Sequence, residues 1–100
     1  MKKLTVKTFE DFMDKFTNHD LDVVNELFKH VKIALVKNKK KIQVFSIYCT
    51  DTEMVVKLSI DKDEFPKVLN GCMNAYIKNE MYEECSQIKS ILEILNKKQS

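Results

Sequence analysis

The sequence contains no arginine and no tryptophan, and it has a single glycine, Gly71, and a single proline, Pro66. So few turn residues argue against an all-β or loop-rich fold, which needs many of them. One glycine also excludes a glycine-rich phosphate loop. The seventeen basic residues are all lysine, and lysine lacks the planar fork that reads phosphate or guanine through two bonds. Absent arginine beside abundant Lys, Asn and Ile is the compositional mark of an AT-rich genome, as in a bacteriophage or a low-GC bacterium. No apolar run approaches the length of a membrane span. The start, Met1-Lys2-Lys3-Leu4-Thr5-Val6-Lys7, is basic but has no apolar h-region. A cytoplasmic location without membrane attachment is therefore expected. The three cysteines, Cys49, Cys72 and Cys85, are odd in number and form no Cys-x-x-Cys pair. Each stands at an apolar or periodic position, as a small hydrophobe does, so neither zinc nor another cofactor is expected.

What is present is enough apolar residue for a core. The chain is 100 residues long and 44% hydrophobic, which predicts one globular domain, 1–100. Leu4 and Val6 suit either a short edge strand or a hydrophobic staple. Thr8 is a candidate N-cap, with Glu10 and Asp11 in the first turn of a helix whose face is Phe9, Phe12, Met13 and Phe16. The turn Thr17-Asn18-His19-Asp20 separates it from a second helix, capped by Asp20 or Asn18, with Leu21, Val24, Leu27, Phe28 and Val31 on one face. His30 is expected near the C-terminus of that helix, where the dipole suits it. Residues 31–36 are rich in β-branched side chains and precede a polar turn in which Asn38 tolerates positive φ, which favours a strand over continued helix. Residues 41–49 and 54–60 are clearer strands, the second with Met54, Val56, Leu58 and Ile60 on one face. Asp63 as N-cap puts Pro66 at the third position of the next helix, and Gly71 falls mid-helix, where it permits a close approach. The predicted fold is α+β: two N-terminal helices (1–36), an antiparallel meander of two or three strands centred on a β-hairpin (37–60), and a C-terminal αα-hairpin (61–97).

That hairpin carries the clearest pattern. Phe65, Val68, Leu69, Cys72, Met73, Ala75 and Tyr76 recur at helical spacing, and so do Tyr82, Cys85, Ile88, Ile91, Leu92 and Leu95, with a break at Lys78-Asn79-Glu80. Ala75, Glu80, Tyr82, Glu83, Cys85, Ile88, Lys89 and Ile91 together resemble the UVR motif, a helical hairpin of nucleotide-excision-repair proteins and of some chaperone–protease adaptors. The resemblance covers about a third of the chain. It departs from the motif at Lys89, where arginine is usual, and at Ser90, where an acid is usual. It implies a hairpin that pairs with a partner.

No residues fall into a catalytic arrangement: the two histidines have no acid and nucleophile at a recognisable spacing, and Cys49 has no placed base. The chain is therefore expected not to be an enzyme. Two readings remain. In the first, the chain is a protein-interaction module or adaptor that binds a protein partner or a second copy of itself as a homodimer. The hairpin would dock through Met81, Tyr82, Ile88, Ile91, Leu92 and Leu95, with Glu83, Glu84 and Lys89 at the rim. Apolar residues beyond one narrow stripe, among them Ile77 and Ile94, support it. The alternative is a nucleic-acid-binding regulator. Residues 27–50 hold six lysines and no acid; Lys37, Lys39, Lys40 and Lys41 would meet phosphates while Phe45 and Tyr48 stack bases. The first reading is preferred, because net charge is only +2.

Overall fold

The computed structural model describes residues 2–99. Its elements are β1 (Lys2–Val6), α1 (Phe9–Thr17), α2 (Leu21–Val36), β2 (Lys41–Cys49), β3 (Met54–Asp61), α3 (Phe65–Lys78) and α4 (Tyr82–Gln99), with a 3₁₀ turn at Lys62–Glu64. The fold is α+β, and α3 and α4 form the expected hairpin. The three strands lie in the order β1-β2-β3; β1 is parallel to β2, and β3 is antiparallel to it.

The third strand is therefore β1 and not residues 31–36. Those residues complete α2, contrary to the strand expected from their composition. The reason is periodicity: Val24, Leu27, Phe28, Val31 and Ala34 are all buried, a spacing of three and four that only a helix can turn to one side. Packing outweighs the weak β preference of the branched residues. The longer helix also moves His30 away from its expected place at the C-terminus. It sits mid-helix, with Nε2 2.9 Å from Glu26 Oε1 one turn earlier.

The caps follow the sequence closely. Thr8 and Asp11 form a reciprocal capping box on α1, and Asp20 Oδ1 accepts from the backbone N–H groups of Asp22 and Val23 at the start of α2. The start of α3 differs from expectation. The 3₁₀ turn comes first, with Asp61 and Glu64 as its capping pair, so Pro66 sits within the first two helical positions, where no N–H is needed.

With so little glycine, the chain ends its helices on other residues. His19, Asn38 and Glu80 follow α1, α2 and α3 with φ of 61°, 54° and 57°. Each sits in a paired-bond C-cap. After α2, for example, Lys39 N–H reaches Ala34 O at 2.9 Å and Asn38 N–H reaches Leu35 O at 3.3 Å.

In the sheet, β2 carries a bulge between Gln43 and Phe45. The extra residue lets Val44 and Phe45 both turn inward, and both are fully buried. Leu4 and Val6 of β1 stand beside Ile47 and Cys49, while Val56, Leu58 and Ile60 of β3 line the same inner face. The helices cover that face. Phe12 of α1 meets Phe45 edge-on at 5.3 Å, and Phe28 of α2 meets Tyr76 of α3 at 5.8 Å. Gly71 lets α1 approach α3: a Cβ there would stand 3.1 Å from the tip of the Phe16 ring. The outer face, with Lys3, Thr5, Tyr48, Val55 and Lys57, is left to solvent, as a sheet with one covered face allows.

Candidate docking surface

α4 packs on α3 through Ile88, which is fully buried, and through Cys85, whose Sγ lies 3.8 Å from Met73 O. Leu95 is buried further along the same helix. Ile88 and Leu95, assigned from the sequence to a partner, are thus core residues of this chain. Met81, Glu84, Ile91 and Leu92 are half-buried, and Tyr82, Glu83 and Lys89 are exposed. Periodicity identified the apolar stripe of α4 correctly, but it could not say how much of that stripe α3 and α2 cover.

Uncovered apolar side chains stand at Met13, at Tyr48, Met54 and Val55 of the sheet, at Ile77 and Tyr82 of the hairpin, and in one group where α4 meets the end of α2. Val36 is 88% exposed, Ile94 55% and Ile33 41%. Three adjoining hollows run across this region. The first, about 210 Å³, is lined by Leu35, Val36, Ile91, Ile94 and Leu95. The second, about 230 Å³, is lined by Lys32, Ile33, Val36 and Lys37. The third, about 280 Å³, is bordered by His30, Ile33, Ala34, Lys39, Lys41, Ile42 and Gln43. Val36 is common to the first two and Ile33 to the second and third, so the strip they form passes around the outer face of α2, from an apolar end beside α4 to a basic end beside β2. No carboxylate lines any of the three.

The strand expected for 31–36 leaves Ile33 and Val36 outside the candidate face that the sequence offers. On a helix, Lys29, Lys32, Ile33 and Val36 fall at i, i+3, i+4 and i+7, one face, and all four are exposed. That spacing was the signal available.

The strip also takes in three of the four lysines of the lysine-rich loop. Lys37 caps α2 and borders the second hollow, while Lys39 and Lys41 border the third. Lys40 is exposed beside them. The loop is braced from the 3₁₀ turn, where Lys62 Nζ donates to Asn38 Oδ1 at 3.2 Å. The aromatics paired with these lysines in the nucleic-acid reading are not beside them. Phe45 is in the core, and Tyr48 lies seven positions beyond Lys41 in β2, roughly 23 Å along a strand.

The remaining polar groups do not converge. Cys49 and Cys72 are buried and Cys85 is half-buried. Burial pushes the Cys72 thiol up to about 12, far from the thiolate a nucleophile or metal ligand requires. Burial, reinforced by the neighbouring Cys72, Glu84 and Cys85, raises Tyr76 as well, and its hydroxyl is engaged with Asn25 Oδ1 at 2.7 Å. Among the described residues no three His, Cys, Asp or Glu side chains gather to hold a metal, and no helix is long and apolar enough to cross a membrane. A cleft of about 170 Å³ under α1, lined by Phe12, Met13, Phe16, Leu27, Leu58, Ile60 and Val68, has only Glu64 and Ser59 as polar neighbours.

No family model, curated protein or solved structure matches the chain. The resemblance to the UVR motif rests on the residues of the hairpin alone.

Proposed function

We propose that this chain is a non-catalytic protein-interaction module that docks a partner on the strip formed by the ends of α2 and α4. The observation that supports this is the grouping of Ile33, Val36 and Ile94 on the surface around half-buried Leu35 and Ile91. Single exposed apolar residues are ordinary on a protein surface, but a contiguous set along a groove marks a binding face. The UVR-like hairpin agrees with it: α4 supplies one wall of the groove, and the motif's general role is pairing with another helical unit. The docking face is shifted from the residues assigned by sequence. Ile91 and Leu95 stay, Ile94 joins them, and α2 contributes the second wall.

The test compares the intact chain with the variant Ile33→Gln/Val36→Gln/Ile94→Gln as bait in an extract of the source cell. All three positions are exposed, so the variant should fold with a stability change of roughly 1 kcal/mol or less. A protein retained by the parent and lost by the variant is the expected result. Retention by both would move the docking face elsewhere, and retention by neither would remove the reading.

A further inference from the structure

We propose that the occupant of this strip is an acidic amphipathic helix, with apolar side chains seated between α2 and α4 and carboxylates set on Lys32, Lys37, Lys39 and Lys41. The proposal rests on the interaction reading above and adds the chemistry of the partner.

Charge complementarity carries it. The apolar hollow shares Val36 with the hollow bordered by Lys32 and Lys37, which shares Ile33 with the one bordered by Lys39, Lys41 and His30, and no acid stands in any lining. The nearest acids are otherwise placed. Glu26 is held on His30 Nε2 at 2.9 Å, Glu93 lies next to Ile94 in sequence but outside the lining, and Asp61 stands opposite Lys41 in the β2–β3 register. The position of Lys32 is fixed by its own helix, its Nζ standing 4.3 Å over the Phe28 ring. Lys62, bonded to Asn38, adds a further ammonium beside the loop. A basic rim of this kind selects an acidic partner and speeds its approach.

The same rim disfavours a second copy of this chain. A two-fold dimer through the strip would set the same lysines of both copies at one interface. It also gives the lysines something to do that does not need stacked bases, which Phe45 in the core cannot supply. A helical occupant fits the first hollow because α2 and α4 form its two walls, and a ridge of side chains at i, i+3 or i+4, and i+7 fills such a groove.

Three fluorescent peptides of about five helical turns test the proposal. The first has a leucine face flanked by glutamates, the second has the same face flanked by lysines, and the third is the first with its order scrambled. Anisotropy is read with the intact chain at low and at high salt. The glutamate-flanked peptide should bind best, lose affinity as salt rises, and bind more weakly to Ile33→Gln/Val36→Gln/Ile94→Gln. For Lys32→Gln/Lys37→Gln/Lys39→Gln/Lys41→Gln the loss should exceed about tenfold, because four rim pairs worth roughly twofold each multiply.

Equal binding of the glutamate- and lysine-flanked peptides would overturn the acidic partner while leaving a docking groove in place. Equal binding of the scrambled peptide would reduce the strip to diffuse charge. Failure of all three peptides would overturn the proposal. So would self-association of the chain that the strip variant abolishes, which identifies a second copy as the occupant. An oligonucleotide bound more tightly than the glutamate-flanked peptide, and released by the lysine variant alone, would assign the surface to nucleic acid.

Discussion

Cys72 and Tyr76 lie one turn apart on α3, both buried, and both must ionise against that burial as pH rises. The Cys72 thiol goes from 9.0 to about 12 on folding. Above pH 9 the unfolded chain has therefore lost a proton that the native chain keeps, so the unfolded state is favoured as pH climbs. The stability is intact below about pH 9 and declines up to about pH 12, at up to about 1.4 kcal/mol per pH unit. Tyr76 acts in the same direction from a higher starting pH, since its phenol is also raised. Urea midpoints measured across this range should fall in the parent and fall less steeply in Cys72→Ala, where only the phenol remains. An unchanged slope in Cys72→Ala would mean that the thiol is reached by solvent in the native state. The burial of Cys72 was legible in the sequence from its place in a helical stripe. The distinction between Ile88 and Ile94 was not: both belong to apolar runs on α4, and only the positions of α2 and α3 decide that the first is covered and the second bare.

At the scale of elements, the shortage of glycine leaves a measurable cost. Glu80 ends α3 in the left-handed region, and its backbone and that of Met81 cap the helix through Ile77 O and Tyr76 O. Glycine adopts that conformation without the Cβ penalty. Glu80→Gly should therefore stabilise the chain by about 0.5–1 kcal/mol in thermal or urea unfolding. Destabilisation instead would show that the Glu80 carboxylate contributes more than its backbone position does. Elements marked by short-range chemistry could be read in advance: the caps at Thr8 and Asp20, the turn at Asn38, the break at Lys78-Asn79-Glu80. Elements decided by long-range pairing could not. Leu4 and Val6 suit a strand, but only the crossover through α1 and α2 makes β1 parallel to β2. The bulge at Val44 leaves adjacent inward residues that look in sequence like a lapse in alternation. Residues 31–36 are the costliest case, because reading them as a strand hid Ile33 and Val36 from the binding face.

For the whole molecule, two features that seemed to compete in the sequence become one surface in the fold. The hairpin contributes Ile91, Ile94 and Leu95, the lysine-rich stretch contributes Lys32, Lys37, Lys39 and Lys41, and the end of α2 joins them. The core reaches that surface at Ala34, Ile42 and Leu95, which are buried and form the floor of the hollows. The docking strip is tested most directly by an amide ¹⁵N shift map of the intact chain titrated with the glutamate-flanked amphipathic peptide. Shifts should concentrate in residues 29–43 and 90–97 and leave the outer sheet face, Thr5, Tyr48 and Val55, unmoved. Shifts centred on that sheet face, or on the α3–α4 turn around Tyr82 with none in α2, would contradict a docking surface built from the ends of α2 and α4.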